Sequence, residues 1–118
     1  MVASHTWAHL DLTKLTPANI DSEMGRVDEA LERIIGVKPA FVRAPYGSYN
    51  NAVLQVAFAH GQTLVDWDFD SGDSTGSTAA QSNAAYDKLV QAHPSTILAL
   101  NHEVYGTQLH PVCYIYFT

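Results

Sequence analysis

Apolar side chains recur at spacings of three or four at Ile20, Met24, Val27, Leu31 and Ile35. That period lays one apolar stripe along a helix. Thr16 suits the N-cap, Pro17 the first helical position and Gly36 the closing turn, so the pattern predicts a helix between Thr16 and Gly36. "PAFVRAPYG" then reads as a short buried strand, Ala40 to Arg43, running into a turn at Pro45 and Gly47. A second helix follows Asn50, with Val53, Leu54, Ala57 and Phe58 facing inward, and stops at Gly61. "QTLVDWDF" reads as a second strand and "DSGDSTGS" as a loop of turn formers. A third helix runs from about Ser77 to Ala92, ended by Pro94. "STILALNH" is a third strand, apolar enough to be covered on both faces. Strands alternating with helices predict an α/β fold with a parallel sheet and right-handed crossovers. Beyond it, Val112, Tyr114, Ile115, Tyr116 and Phe117 in "HPVCYIYFT" read as a last, very apolar strand.

Length and charge narrow the picture. A chain of 118 residues makes one domain with a modest core. Its net charge of -6, with no run of Lys or Arg, argues against nucleic acid as a partner. The one cysteine, Cys113, forms no intrachain disulfide. No apolar stretch reaches the roughly 18 residues that span a bilayer, which argues against a membrane partner. "MVASHTW" holds no visible signal peptide, and the abrupt start points to a leader already removed.

The candidate chemistry lies at strand ends, where parallel α/β folds gather their sites. Arg43, the run from Asp66 to Asp73 and His102 occupy such ends, and His5 and His9 precede the first helix; the fold is expected to bring them to one face. Two imidazoles four positions apart are a common metal pair, and zinc favours nitrogen ligands, but a tight site needs a third ligand. Taken alone, the pair reads first as stacked or solvent-facing histidines and only second as metal ligands. Arg43 could likewise be a surface ion-pair partner and His102 a core histidine. Asp66, Asp68, Asp70 and Asp73 read as a solvated acidic loop or a hard-cation site. His60 and His93 read as structural or solvent-facing.

Four segments in order carry a resemblance. "HTWAH" resembles the H-[ST]-x-x-H zinc motif of the polysaccharide deacetylases, "RAPYG" their R-x-P-[YF] motif, "WDFDSGDS" their aspartate-rich motif and "LNH" their L-x-H motif. The likeness extends from Ser4 to about Tyr105, and "WDFDSGDSTG" looks most like fungal members. The resemblance implies a distorted (β/α) barrel and metal-dependent removal of acetyl groups from chitin-like N-acetylglucosamine polymers. It implies His5 and His9 as two of three ligands for Zn²⁺ or another divalent metal. It implies Arg43 as the residue orienting the catalytic base, Asp73 as the partner that tunes His102, and His102 as the acid that protonates the leaving amine. Pro45, Tyr46, Leu100 and Trp67 are implied as substrate-binding residues, with the Tyr46 N–H at the oxyanion and Leu100 beneath the acetyl methyl.

The family's T-F-D-D-G segment, which supplies the base and the third ligand, does not occur in these 118 residues, and Asp73 is followed by Ser74 where the family has Trp. The expectation is therefore a truncated barrel lacking its first strand, with a weakly bound metal and weak or absent activity. The alternative is a non-catalytic carbohydrate-binding or immune-active protein. The resemblance also implies a secreted or cell-wall location. An open sheet edge beside the missing strand, together with the apolar tail, predicts a homodimer with Tyr114, Tyr116 and Phe117 at the contact.

Overall fold

The computed structural model describes residues 1–102. The described chain forms two compact units, one spanning Met1–Asp66 and one starting at Trp67.

In the first unit, helix α1 is Pro17–Ile35. Its boundaries follow the expected chemistry: the Asn19 N–H donates to Thr16 Oγ1, and Gly36 turns left-handed (φ 77°) so that its N–H reaches the Glu32 carbonyl. The stripe is deeply buried only at Ile20 and Met24; Val27 and Leu31 are half-buried and Ile35 is exposed. Two acidic residues, Glu23 and Asp28, are buried on α1 beside the apolar ones.

Strand β1, Phe41–Val42, pairs in parallel with β2, Thr63–Leu64. The opposite side of β1 is occupied. Ser4 bridges Val42 in parallel, its N–H donating to the Phe41 carbonyl at 2.9 Å and its carbonyl accepting the Arg43 N–H at 3.0 Å. That side of β1 is thus met at Ser4, because the residues before the histidines run alongside the strand. Helix α2, Asn51–Ala59, links β1 to β2 and is capped by Asn50 Oδ1 at the Val53 N–H. Of its four residues expected inside, Val53 and Ala57 are buried, whereas Leu54 is 41% and Phe58 85% exposed. The second pair lies about 100° further round the helix, and α2 buries only one line of side chains. The core is Leu12, Ile20, Met24, Val42, Ala44, Val53 and Ala57. Each large member contributes about 1.5–3 kcal/mol by leaving water.

In the second unit, β3, Phe69–Asp70, pairs in parallel with β4, Ala99–Leu100, and α3, Ala79–Ala92, connects them. Thr78 and Gln81 form a reciprocal capping box at the start of α3, and His93 (φ 45°) closes it just before Pro94. The single strand expected over "QTLVDWDF" is two. Thr63–Leu64 joins β1, while Phe69 joins β4. Between them Asp68 accepts the Leu98 N–H on its carboxylate at 2.7 Å, beside a main-chain bond from its own N–H to the Leu98 carbonyl at 3.1 Å. Ala99 and Leu100 are half-buried, not covered on both faces as expected. No helix among the described residues is long and apolar enough to cross a membrane. The expected tail strand, with Cys113, Tyr114, Tyr116 and Phe117, lies outside the described residues.

Candidate active site

The first unit gathers His5, His9, Arg43 and Tyr46. Ser4 fixes the start of the histidine loop against β1. His5 Nδ1 lies 2.8 Å from the Arg43 carbonyl. A carbonyl only accepts, so Nδ1 carries the hydrogen and Nε2 carries the lone pair of the neutral ring. This arrangement, one ring nitrogen donating to a carbonyl, is the usual support for a metal-ligating imidazole. His9 approaches His5 edge to face, with ring centroids 4.9 Å apart, and on its other side meets Tyr46 at 4.8 Å.

The loop is unusual in its backbone. Thr6 (φ 66°), His9 (φ 54°) and Tyr46 (φ 61°) all have left-handed conformations without being glycine. Each costs about 1–3 kcal/mol and persists only where the surroundings impose it. By donor chemistry the pair fits two positions of a zinc-type site, and His5 offers Nε2 for one of them. Among the described residues no group of three or more His, Cys, Asp and Glu side chains gathers to complete one. The Arg43 side chain donates from Nη to the Asp66 carbonyl at 3.3 Å, and Pro45 is buried while Tyr46 is exposed.

The second unit holds the other pair. Asp73 begins a short 3-10 turn, and its side chain is fully buried. One carboxylate oxygen accepts His102 Nδ1–H at 3.0 Å and the other accepts the His102 backbone N–H. Burial works to raise the Asp73 pKa, but the hydrogen bonds to the His102 ring and backbone and the attraction to the ring outweigh it, and the net result lies below the ordinary value. Just before it, Gly72 has φ 74°, and a Cβ there would lie 2.3 Å from Ser77 Oγ, so only glycine fits. Ser82 in α3 ties the same loop down through Oγ–H to the Ser71 carbonyl at 2.8 Å. Asp70 and Asp68 hold backbone N–H groups, of Gly72 and Leu98. Leu100 sits on β4 beside Asp70, and Trp67 opens the unit.

Three contacts at the histidine loop were not visible in the sequence: the Ser4 bridge, the use of the Arg43 carbonyl, and Glu23 Oε2 accepting the Ala8 N–H at 2.7 Å. The first two are main-chain contacts and carry no residue signature. The third had a signal, an acid three residues after Ile20 on the stripe of α1.

Each unit thus carries its own polar pair at the loops of a parallel α/β pair, His5 with His9 in the first and Asp73 with His102 in the second. The family model for polysaccharide deacetylases matches residues 1–65, and the chain belongs to this family. It is 36% identical over 85 residues to a bifunctional xylanase/xylan deacetylase of Cellvibrio japonicus, covering 71% of this chain and 13% of that protein. It superposes on a family 4 carbohydrate esterase from Streptomyces lividans, solved in complex with acetate, with a TM-score of 0.80 and 30% identity over 90% of this chain and 53% of that one. The chitin deacetylase of Colletotrichum lindemuthianum gives a TM-score of 0.74 and 28% identity, over 89% and 49%. The chain therefore spans about half of these solved chains and far less of the xylanase relative.

Proposed function

We propose that this chain carries the histidine and acid machinery of a carbohydrate N-deacetylase acting on chitin or a related N-acetylated polysaccharide, on the family's distorted (β/α) barrel. The observation that carries the reading is the pairing, at the family's motif positions, of His5 with His9 and of His102 with Asp73. In this reading His5 and His9 hold Zn²⁺ or another divalent ion, which when bound supplies Lewis acidity toward water and the amide carbonyl. Asp73 fixes the His102 tautomer, so that Nε2 of the imidazolium delivers the proton to the leaving amine. The Tyr46 N–H helps hold the oxyanion, Pro45 and Trp67 shape the sugar groove, and Leu100 lies under the acetyl methyl. Arg43 keeps two tasks, its guanidinium near the base position and its carbonyl on His5. Secretion or cell-wall attachment accompanies such a substrate.

The 118 residues contain neither the base nor the third ligand of the T-F-D-D-G segment. Loss of the base alone costs about 10²–10⁴ in rate. Acetate release from chitooligosaccharides should therefore fall far below the ordinary range of about 1–10³ per second, and His102→Ala should abolish what remains. Release at ordinary rates, or release indifferent to His102→Ala, overturns this assignment. The second reading, carbohydrate binding without catalysis, is favoured by the absence of a three-ligand cluster among the described residues. Calorimetric binding of chitooligosaccharide with no acetate released decides for it.

A further inference from the structure

Glu23 is a buried acid whose Oε2 accepts the Ala8 N–H at 2.7 Å. Ala8 directly precedes His9, whose backbone is left-handed, and follows by two residues Thr6, which is also left-handed. A β-branched residue at positive φ is a genuine outlier and relaxes unless both ends of its loop are fixed. One end is fixed by Ser4 on β1 and by His5 on the Arg43 carbonyl. At the other end Glu23, carried on a long, well-capped helix, ties down Ala8. The bond is short, as charge-assisted bonds are.

We infer that Glu23 is a positioning residue for the His5 and His9 pair, acting through the Ala8 amide to hold the loop in its left-handed form and so set the spacing of the two imidazoles. This rests on the reading of the pair as metal ligands, and it adds a residue outside the four motif segments to that site. The bond of Glu23 is to the loop backbone, at Ala8. Its effect reaches the ligands as outer supports of metal ligands do, where loss typically costs 10–100-fold in affinity.

The test uses the 118-residue chain, ¹⁵N-labelled, with Glu23→Met and Glu23→Gln. Methionine keeps the length and helix preference and removes the acceptor; glutamine retains an acceptor oxygen. The Ala8 amide should be protected from hydrogen exchange in the wild type and in Glu23→Gln, and unprotected in Glu23→Met. The ring-to-ring NOE of His5 and His9 should vanish in Glu23→Met alone. Calorimetric titration with Zn²⁺ should give affinity lowered about 10–100-fold in Glu23→Met and close to wild type in Glu23→Gln. A wild-type Ala8 amide that exchanges as an open-loop amide overturns the inference. So does a folded Glu23→Met chain with unchanged NOE and Zn²⁺ affinity. Should Glu23→Met lose its helical circular dichroism, Glu23→Asp, one methylene shorter, is read in its place with the same criteria. If His5→Ala and His9→Ala leave Zn²⁺ binding unchanged, the ligand reading fails, and the Ala8 exchange and the NOE still decide the role of Glu23.

Discussion

Asp73 holds His102 twice, by ring and by backbone, with one buried carboxylate. Its pKa is lowered below the ordinary 3.8, so the stabilisation is fully present above that value and is lost as pH falls through the lower, folded value. The His102 amide resonance should therefore titrate in strong acid, below 3.8. Asp73→Asn should erase that titration and destabilise the chain by about 1–3 kcal/mol. A His102 amide that titrates unchanged in the variant would show that another group is responsible. The side chains of this pair and of His5 and His9 were legible in the sequence, since motif spacing names them. The Arg43 carbonyl was not, because a main-chain acceptor can be supplied by any residue and leaves no pattern; Glu23 left one sign, an acid on the stripe of α1, with nothing to name Ala8 as its partner.

Helices were the more legible elements. The termini of α1 and α2 carry their caps in the sequence, and both begin where Thr16 and Asn50 place them. Strands were less legible, since the four two-residue strands of the described residues leave almost no period to read, and the Asp68 carboxylate that binds the Leu98 N–H looks like any loop aspartate. The packing of α1 on α2 adds a polar clamp. Asp28, buried on α1, accepts from His60 Nδ1 at 2.7 Å and from Gln62 Nε2 at 2.6 Å, while His60 Nε2 reaches Asp21 at 2.9 Å. Burial disfavours the charged ring, but Asp28 and Asp21 together outweigh it and raise the His60 pKa above 6.5. The clamp's stabilisation is thus complete below 6.5 and is lost as pH rises through the raised value. The urea midpoint should be higher in mildly acidic than in mildly alkaline buffer, and Asp28→Asn should flatten the difference. Equal slopes in both chains would remove His60 from the account.

At the scale of the whole molecule, each unit is built on its own parallel pair and its own crossover helix. The division falls inside the segment that reads most smoothly as one strand, which is why the sequence suggested a single sheet. The homodimer expected from the sequence would cover apolar groups such as Phe58 and Ile34, 85% and 76% exposed. Light scattering should give about twice the 12.9 kDa chain mass, and deletion of residues 111–118 should return it to one chain or to aggregate. A mass near 12.9 kDa for the full chain excludes the dimer.

The seat of His5 on the Arg43 carbonyl has a consequence for mutational scanning. A missense change at codon 43 replaces the guanidinium but leaves the carbonyl in place. Only proline also deletes the N–H given to Ser4. Tolerance at position 43 therefore measures the guanidinium alone, and the hold on the histidine passes through such a scan unseen.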